Sequence, residues 1–310
     1  MMKRSKIIAI VGLFMLLTLQ GYAQQESQYT QYMYNPILIN PGYAGSRGVP
    51  SIFGLHRSQW VGLDGAPKTS ALSFHMPFES KKVGLGASIY HETIGPQTTN
   101  TLMIDFSYTL LFDNNSKLAL GLKGSGGFYN FDWTKIHLAD PNDSWRINGP
   151  NNVFSPNVGV GVYWYTDNYY LGVSVPNLLT SKTFSRKENE VSTVDNIQHY
   201  YLIGGYVFDL SENVKFKPAV LSKIVKGSPL QLDLSANFMF NEKFVLGAAY
   251  RWSAAVSLMA GFQVNRNWFI GYAYDWETTD LRRYNSGSHE IFLRYEFMRD
   301  LRRVVSPRFF

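Results

Sequence analysis

Apolar and polar residues alternate along most of this chain with a period of two. In residues 230–240, Leu230, Leu232, Leu234, Ala236, Phe238 and Phe240 share one face, and Gln231, Asp233, Ser235 and Asn237 share the other. Successive side chains of a strand point to opposite sides, so this is a strand with one oily and one wet face. The pattern recurs at Val83-Leu85-Ala87-Ile89, Leu102-Ile104-Phe106-Tyr108-Leu110, Trp268-Ile270-Tyr272-Tyr274-Trp276 and Ile291-Leu293-Tyr295-Phe297. Fourteen strands are predicted, at residues 51–60, 68–78, 82–93, 98–112, 116–131, 154–165, 168–176, 196–209, 213–226, 228–240, 242–252, 254–265, 267–276 and 288–297. No helical stretch is predicted between them.

The connections alternate in length. Short polar turns at 79–81, 113–115, 167–168, 211–213, 241–242 and 265–267 carry the Asn and Asp that tight hairpins favour. Long loops fall at about 132–153, 177–195 and 277–287. An even number of amphipathic strands, short turns at one end and long loops at the other describe an all-β, up-and-down antiparallel barrel of the outer membrane. Closure is required because an open edge would leave backbone groups unpaired in lipid. A soluble sandwich or barrel shares the alternation, but a closed soluble barrel of this size would turn its apolar face inward around a large void. Trp60, Tyr90, Phe112, Trp164, Trp252, Trp268 and Trp276 stand near strand ends, where interfacial girdles are expected. With fourteen strands both termini lie on the side of the short turns, the periplasm. Residues 50–297 then form the barrel, with 24–49 and 298–310 as periplasmic tails.

Composition narrows the class. The chain has 310 residues, 45% of them hydrophobic and 15% aromatic, and no cysteine. A mean hydropathy of −0.15 excludes a bundle of membrane helices, and the missing thiols exclude disulfides and cysteine chemistry. Residues 1–23 read as a secretory signal peptide: Lys3, Arg4 and Lys6 precede the apolar run Ile7 to Leu19, and Gly21 and Ala23 suit a cleavage site before Gln24. An uncleaved anchor would need a longer apolar run. Losing those three basic residues lowers the formal charge from +6 to +3. No clustered basic face remains to suggest nucleic-acid binding.

Candidate chemistry is sparse. There is no zinc-protease helix motif, phosphate loop or nucleophile elbow, so no catalytic, metal or cofactor site is expected. An outer-membrane hydrolase stays open in principle, because spacing does not reveal a dispersed triad. Gly121, Gly124, Gly126 and Gly127 lie within a strand, which favours a barrel bend or tight lumen packing over a phosphate cradle. The six histidines are dispersed. Asp140 and Asp143 fit a calcium or acid–base pair, or more simply a solvated Pro-Asn turn. Lys215, Lys217 and Lys223 share the polar side of one strand, where they either set anion preference or neutralise lumen acids such as Asp233. Trp133 and Trp145 are loop aromatics suited to partner contact or to loop packing.

The segment Gln31-Tyr32-Met33-Tyr34-Asn35-Pro36-Ile37-Leu38-Ile39-Asn40-Pro41-Gly42-Tyr43-Ala44-Gly45-Ser46 has two Asn-Pro pairs five residues apart in apolar surroundings. Proline restricts its predecessor, so both pairs read as turns, and the apolar residues between them need cover, as in the mouth of the barrel. This segment resembles the hallmark of the PorP/SprF family, type IX secretion system outer-membrane proteins of Bacteroidetes. His56-Arg57-Ser58-Gln59-Trp60, the stretch Asp64 to Thr69, Gly287 to Ile291 and the end Val305 to Phe310 are also similar to that family. The resemblance implies a role in secretion or surface anchoring of proteins such as gliding adhesins, without catalysis. It implies as partners outer-membrane lipids, secreted type IX cargo or a surface adhesin, and periplasmic or peptidoglycan-associated lipoproteins. Asn35, Pro36, Asn40, Pro41, Gly42, Tyr43, Ala44 and Gly45 are then the expected partner-binding residues. The alternative is a diffusion porin or small-solute channel, which the same barrel would support with an open lumen.

Overall fold

A computed structural model describes residues 30, 32–78, 82–135, 152–180 and 197–297. The signal segment, the turn 79–81, the loop residues His137, Asp140, Asp143 and Trp145, and the tail 298–310 lie outside the described residues. The strands are β1 (Ser51–Ser58), β2 (Lys68–Pro77), β3 (Val83–Ile94), β4 (Gln97–Leu111), β5 (Lys117–Phe131), β6 (Asn152–Tyr165), β7 (Tyr169–Val175) and β8 (His199–Tyr206). They continue as β9 (Phe208–Ser211), β10 (Val214–Val225), β11 (Gln231–Phe240), β12 (Phe244–Arg251), β13 (Ala255–Gln263), β14 (Trp268–Glu277) and β15 (Ser288–Glu296). Each pairs antiparallel with its sequence neighbour, except that β8 and β9 both pair with β10 and not with each other, and β1 pairs with β15 from Ser51↔Glu296 to Ser58↔His289. The sheet therefore closes on itself.

Among the described residues fifteen strands make fourteen staves, because β8 and β9 are two halves of one. β10 pairs with β8 down to Ala219↔Gly205 and resumes with β9 at Phe216↔Phe208. The break lies opposite Pro218, which has no N–H to give to a ladder. Pro156 in β6 keeps its register with Gly126 of β5. It sits beyond the last β6–β7 pair, Val160↔Val175, where a missing donor costs the wall least.

The packing is inside-out relative to a soluble barrel. On β11, Asp233, Ser235 and Asn237 are buried, while Leu234 and Phe238 are exposed. Around the wall, Ile104, Leu122, Leu246 and Leu258 are more than half exposed, whereas Asp105, Lys217, Asp275 and Glu290 are at 0%. No helix among the described residues is long and apolar enough to cross a membrane, and here strands do the crossing. Near the short turns a run of ring contacts passes from strand to strand on the outer face: Trp164–Tyr169, Tyr169–Tyr206, Tyr206–Phe208, Phe208–Phe216 and Phe216–Phe238. This is an aromatic girdle. Phe112, Trp164, Trp252, Trp268 and Trp276 are exposed as expected of girdle residues. Two expected members are not. Tyr90 belongs to the inward-facing set of β3, and Trp60 turns in from a left-handed residue (φ 47°) to donate its indole N–H to Glu277.

Candidate functional site in the barrel lumen

The lumen is filled by the chain's own N-terminal segment. Tyr32–Tyr34, Pro36–Leu38 and Pro41–Tyr43 form three short 3-10 turns. Each of the last two opens on the proline of an Asn-Pro pair, whose fixed φ suits the first position of a turn and whose missing N–H costs nothing there. Asn40 has an extended backbone, and its side chain accepts from the Gly42 N–H at 2.9 Å. Such short turns leave many backbone groups unpaired, and in a lumen those must find partners on the wall.

The wall supplies them. Ser174 donates to the Ile39 carbonyl at 2.7 Å, Ser107 to Ala44 at 2.8 Å and Lys123 to Ile37 at 3.1 Å. Asn35 donates to the Ser73 hydroxyl at 3.0 Å, and Asn40 to the Val162 carbonyl at 3.0 Å. Apolar contacts complete the fit: Tyr34 lies against Phe292 at 4.5 Å and near Phe269, and Tyr43 meets His75 and Tyr163 edge-on. Wall and plug also meet at glycines. A Cβ on Gly121 would collide with the backbone of Pro41 and Gly42, and one on Gly161 with the Asn40 amide.

Charged groups of the wall hold both ends of the segment. Near the long loops, Arg57 pairs with Asp275 at 2.6 Å and Glu290 at 3.1 Å. Thr30 joins them, its hydroxyl donating to Asp275 and its N–H to Glu290. Near the short turns, Arg47 pairs with Glu296, which also lies 3.5 Å from Arg294. The segment thus runs the height of the lumen, entering beside the long loops and leaving beside the short turns into β1. Two further buried pairs, Lys123–Asp105 at 2.8 Å and Arg251–Asp233 at 3.0 Å, neutralise the inner wall.

The structure brings together all eight residues expected to bind a partner. Asn35, Pro36, Asn40, Pro41, Gly42, Tyr43 and Ala44 are buried, with Gly45 partly so, and what they touch here is the wall of their own barrel. Residues 32–49, expected as part of a periplasmic tail whose apolar residues find cover at the mouth of the barrel, lie inside the lumen and at its mouth. Their apolar side chains find there the cover that water would deny them. Of the three lysines, Lys217 and Lys223 are buried in the lumen and Lys215 pairs with Asp209 at the turn side. Asp233 pairs with Arg251. Of the glycine cluster, Gly121 packs tightly against the plug and Gly127 against the Tyr129 ring. Sequence reading missed Ser73, Ser107, Ser174 and Lys123. Their inward alternation was visible, but which backbone group each would meet was not. Among the described residues no group of three or more His, Asp or Glu is placed to hold a metal ion.

Closure, an apolar exterior and a filled polar lumen define a plugged β-barrel of the outer membrane. The sequence matches the family described as "Type IX secretion system membrane protein PorP/SprF" over residues 21–295, and the chain belongs to that family. No curated protein matches it. Solved structures similar to it include the Acinetobacter baumannii outer membrane protein Omp33, at 9% identity and TM-score 0.48, over 80% of this chain and 98% of that one. KdgM porin aligns at 12% identity and TM-score 0.38, over 80% and 99%. A Pseudomonas aeruginosa FadL homologue aligns at 11% and 0.43, over 81% and 89%. These are distant likenesses, and what those proteins carry has no bearing on this lumen.

Proposed function

We propose that this protein supports secretion or surface anchoring of a type IX cargo, such as a gliding adhesin, and acts as a non-catalytic docking barrel rather than as a diffusion channel. The observation that carries this reading is the lumen itself. A porin needs a continuous water path, whereas here a segment of the chain is bonded into the lumen along its height. The polar inner wall is used to hold that segment.

In this reading residues 1–23 are removed on export, the short turns face the periplasm, and lipoproteins of the secretion apparatus dock on that side. The long loops receive the displayed protein. The Asn35 to Gly45 segment serves the partners by fixing the mouth facing the periplasm rather than by offering a free surface. Deleting the gene and probing intact cells for surface cargo tests the proposal. Loss of one displayed protein supports it. Normal display of all type IX cargo, together with steady conductance of the purified barrel, would replace it with the porin reading.

A further inference from the structure

The aromatic girdle on the loop side is incomplete. Its outward residues include Phe128 on β5, Phe154 on β6, Tyr200 on β8, Tyr250 and Trp252 at the end of β12, and Trp276 on β14, all exposed. Across β15, β1, β2 and β3 the same end of the wall turns out His289, His56, Ser58, Lys68, Ser70 and His91 instead. The strand register makes them neighbours. Tyr274 pairs with His289, His289 with Ser58, and Ser58 with Lys68, while one step lower His56 pairs with Ser70 and Ser70 with His91.

These side chains are held in place. His56 Nδ1 lies 3.0 Å from Ser70 Oγ, and its Nε2 lies 3.3 Å from Ser58 Oγ. His289 Nδ1 lies 2.6 Å from the Tyr272 hydroxyl, and His91 Nδ1 lies 2.7 Å from Asn100 Oδ1. Most acidic side chains at this level lie on the lumen side, where Arg57 pairs with two of them. Glu92, Asp275, Glu277 and Glu290 are buried on the lumen side, and the lysine and histidines face out.

Depth decides what meets this patch. β1 has only 8 residues, which at about 3.3 Å each and a tilt near 40° climb roughly 20 Å. The apolar band of such a barrel is about 25 Å tall. Ser58 and Lys68 at the strand ends therefore lie within roughly 3 Å of the edge of a band centred on β1, near enough for the long Lys68 side chain to reach the headgroups. Basic and hydroxyl-bearing side chains facing outward at that level match anionic phosphate.

We propose that the outward face of β15, β1, β2 and β3 near the long loops binds the phosphate of an outer-leaflet glycolipid. Lys68 is the main electrostatic contact, and His56, His289, Ser58 and Ser70 supply hydrogen bonds. The test is to place the full-length barrel in nanodiscs with lipid A or with enzymatically dephosphorylated lipid A, and to count retained lipids by native mass spectrometry. The wild type is expected to retain the phosphorylated form at least fivefold more. Lys68→Glu and the triple variant His56→Gln, Lys68→Gln, His289→Gln should lose that preference while keeping the heat-modifiable gel mobility of a folded barrel. Lys68→Glu carries the test if the triple variant fails to fold. Equal retention of both lipids by the wild type would overturn the proposal, as would unchanged preference in Lys68→Glu. A photocrosslinker at Ser70 that captures a protein instead of lipid in intact cells would overturn it as well, by assigning the patch to a protein partner.

Discussion

At the scale of single residues, the site depends on side chains absent and side chains paired. Gly121 lies against Gly42 with no room between the backbones. In Gly121→Val the added carbons must displace either the plug or β5, because a packed interior does not absorb extra volume. We expect the barrel to remain folded on a gel while a protease gains access to residues 32–47. Continued protection would show that the wall yields instead. Arg57 tests the clamp. Removing one partner of a buried ion pair leaves charge without compensation, so Arg57→Ala should cost about 3–5 kcal/mol. Lys215→Ala breaks a pair whose side chains are 30% and 63% exposed and should cost about 0–1 kcal/mol. Urea unfolding in detergent or lipid compares the two, and equal losses would argue against the clamp.

At the scale of elements, each stave answers to two solvents. β11 shows the usual division, with Leu234 outward and Ser235 inward. Leu234→Arg places a charge in hydrocarbon and should cost about 2–4 kcal/mol, most at the bilayer midplane. The matching Ser235→Ala should cost far less, and refolding into vesicles measures both. β1 departs from the rule. Phe53 and Leu55 point inward, onto Phe292 and the buried core around the plug, while Gly54 and His56 point outward. Its alternation was legible in the sequence, but the direction of each face was not. Alternation fixes which residues share a face; only the contents of the lumen decide that here the apolar face turns in. The split of one stave at Pro218 was equally hidden, since a proline within a strand pattern announces a defect without saying which neighbour loses its bond.

At the scale of the whole molecule, the barrel is a shell built around a segment that precedes it in the chain. The plug touches the closure region of β14, β15 and β1 at one end through Thr30, Asp275, Glu290 and Arg57, and at the other through Arg47 and Glu296. Without residues 30–47 the wall would enclose unpaired polar groups around an empty lumen, which water would fill. Deleting them should convert a barrel with little steady conductance into one with large, persistent openings in a planar bilayer. Equal conductance before and after deletion would mean that the segment does not obstruct the path.

The sequence by itself determined the all-β class, the fourteen membrane-crossing staves and the family, because period-two alternation and the Asn-Pro segment are local properties of neighbouring residues. It also showed that the apolar residues between Asn35 and Asn40 required cover. Only the tertiary structure decided where that cover lies. Filling the lumen depends on contacts between residues far apart in the chain, such as Ser174 with Ile39 and Glu290 with Thr30. No local pattern encodes a distance of that kind. It follows from closing the sheet around a segment whose backbone needed partners and whose side chains needed shelter from water.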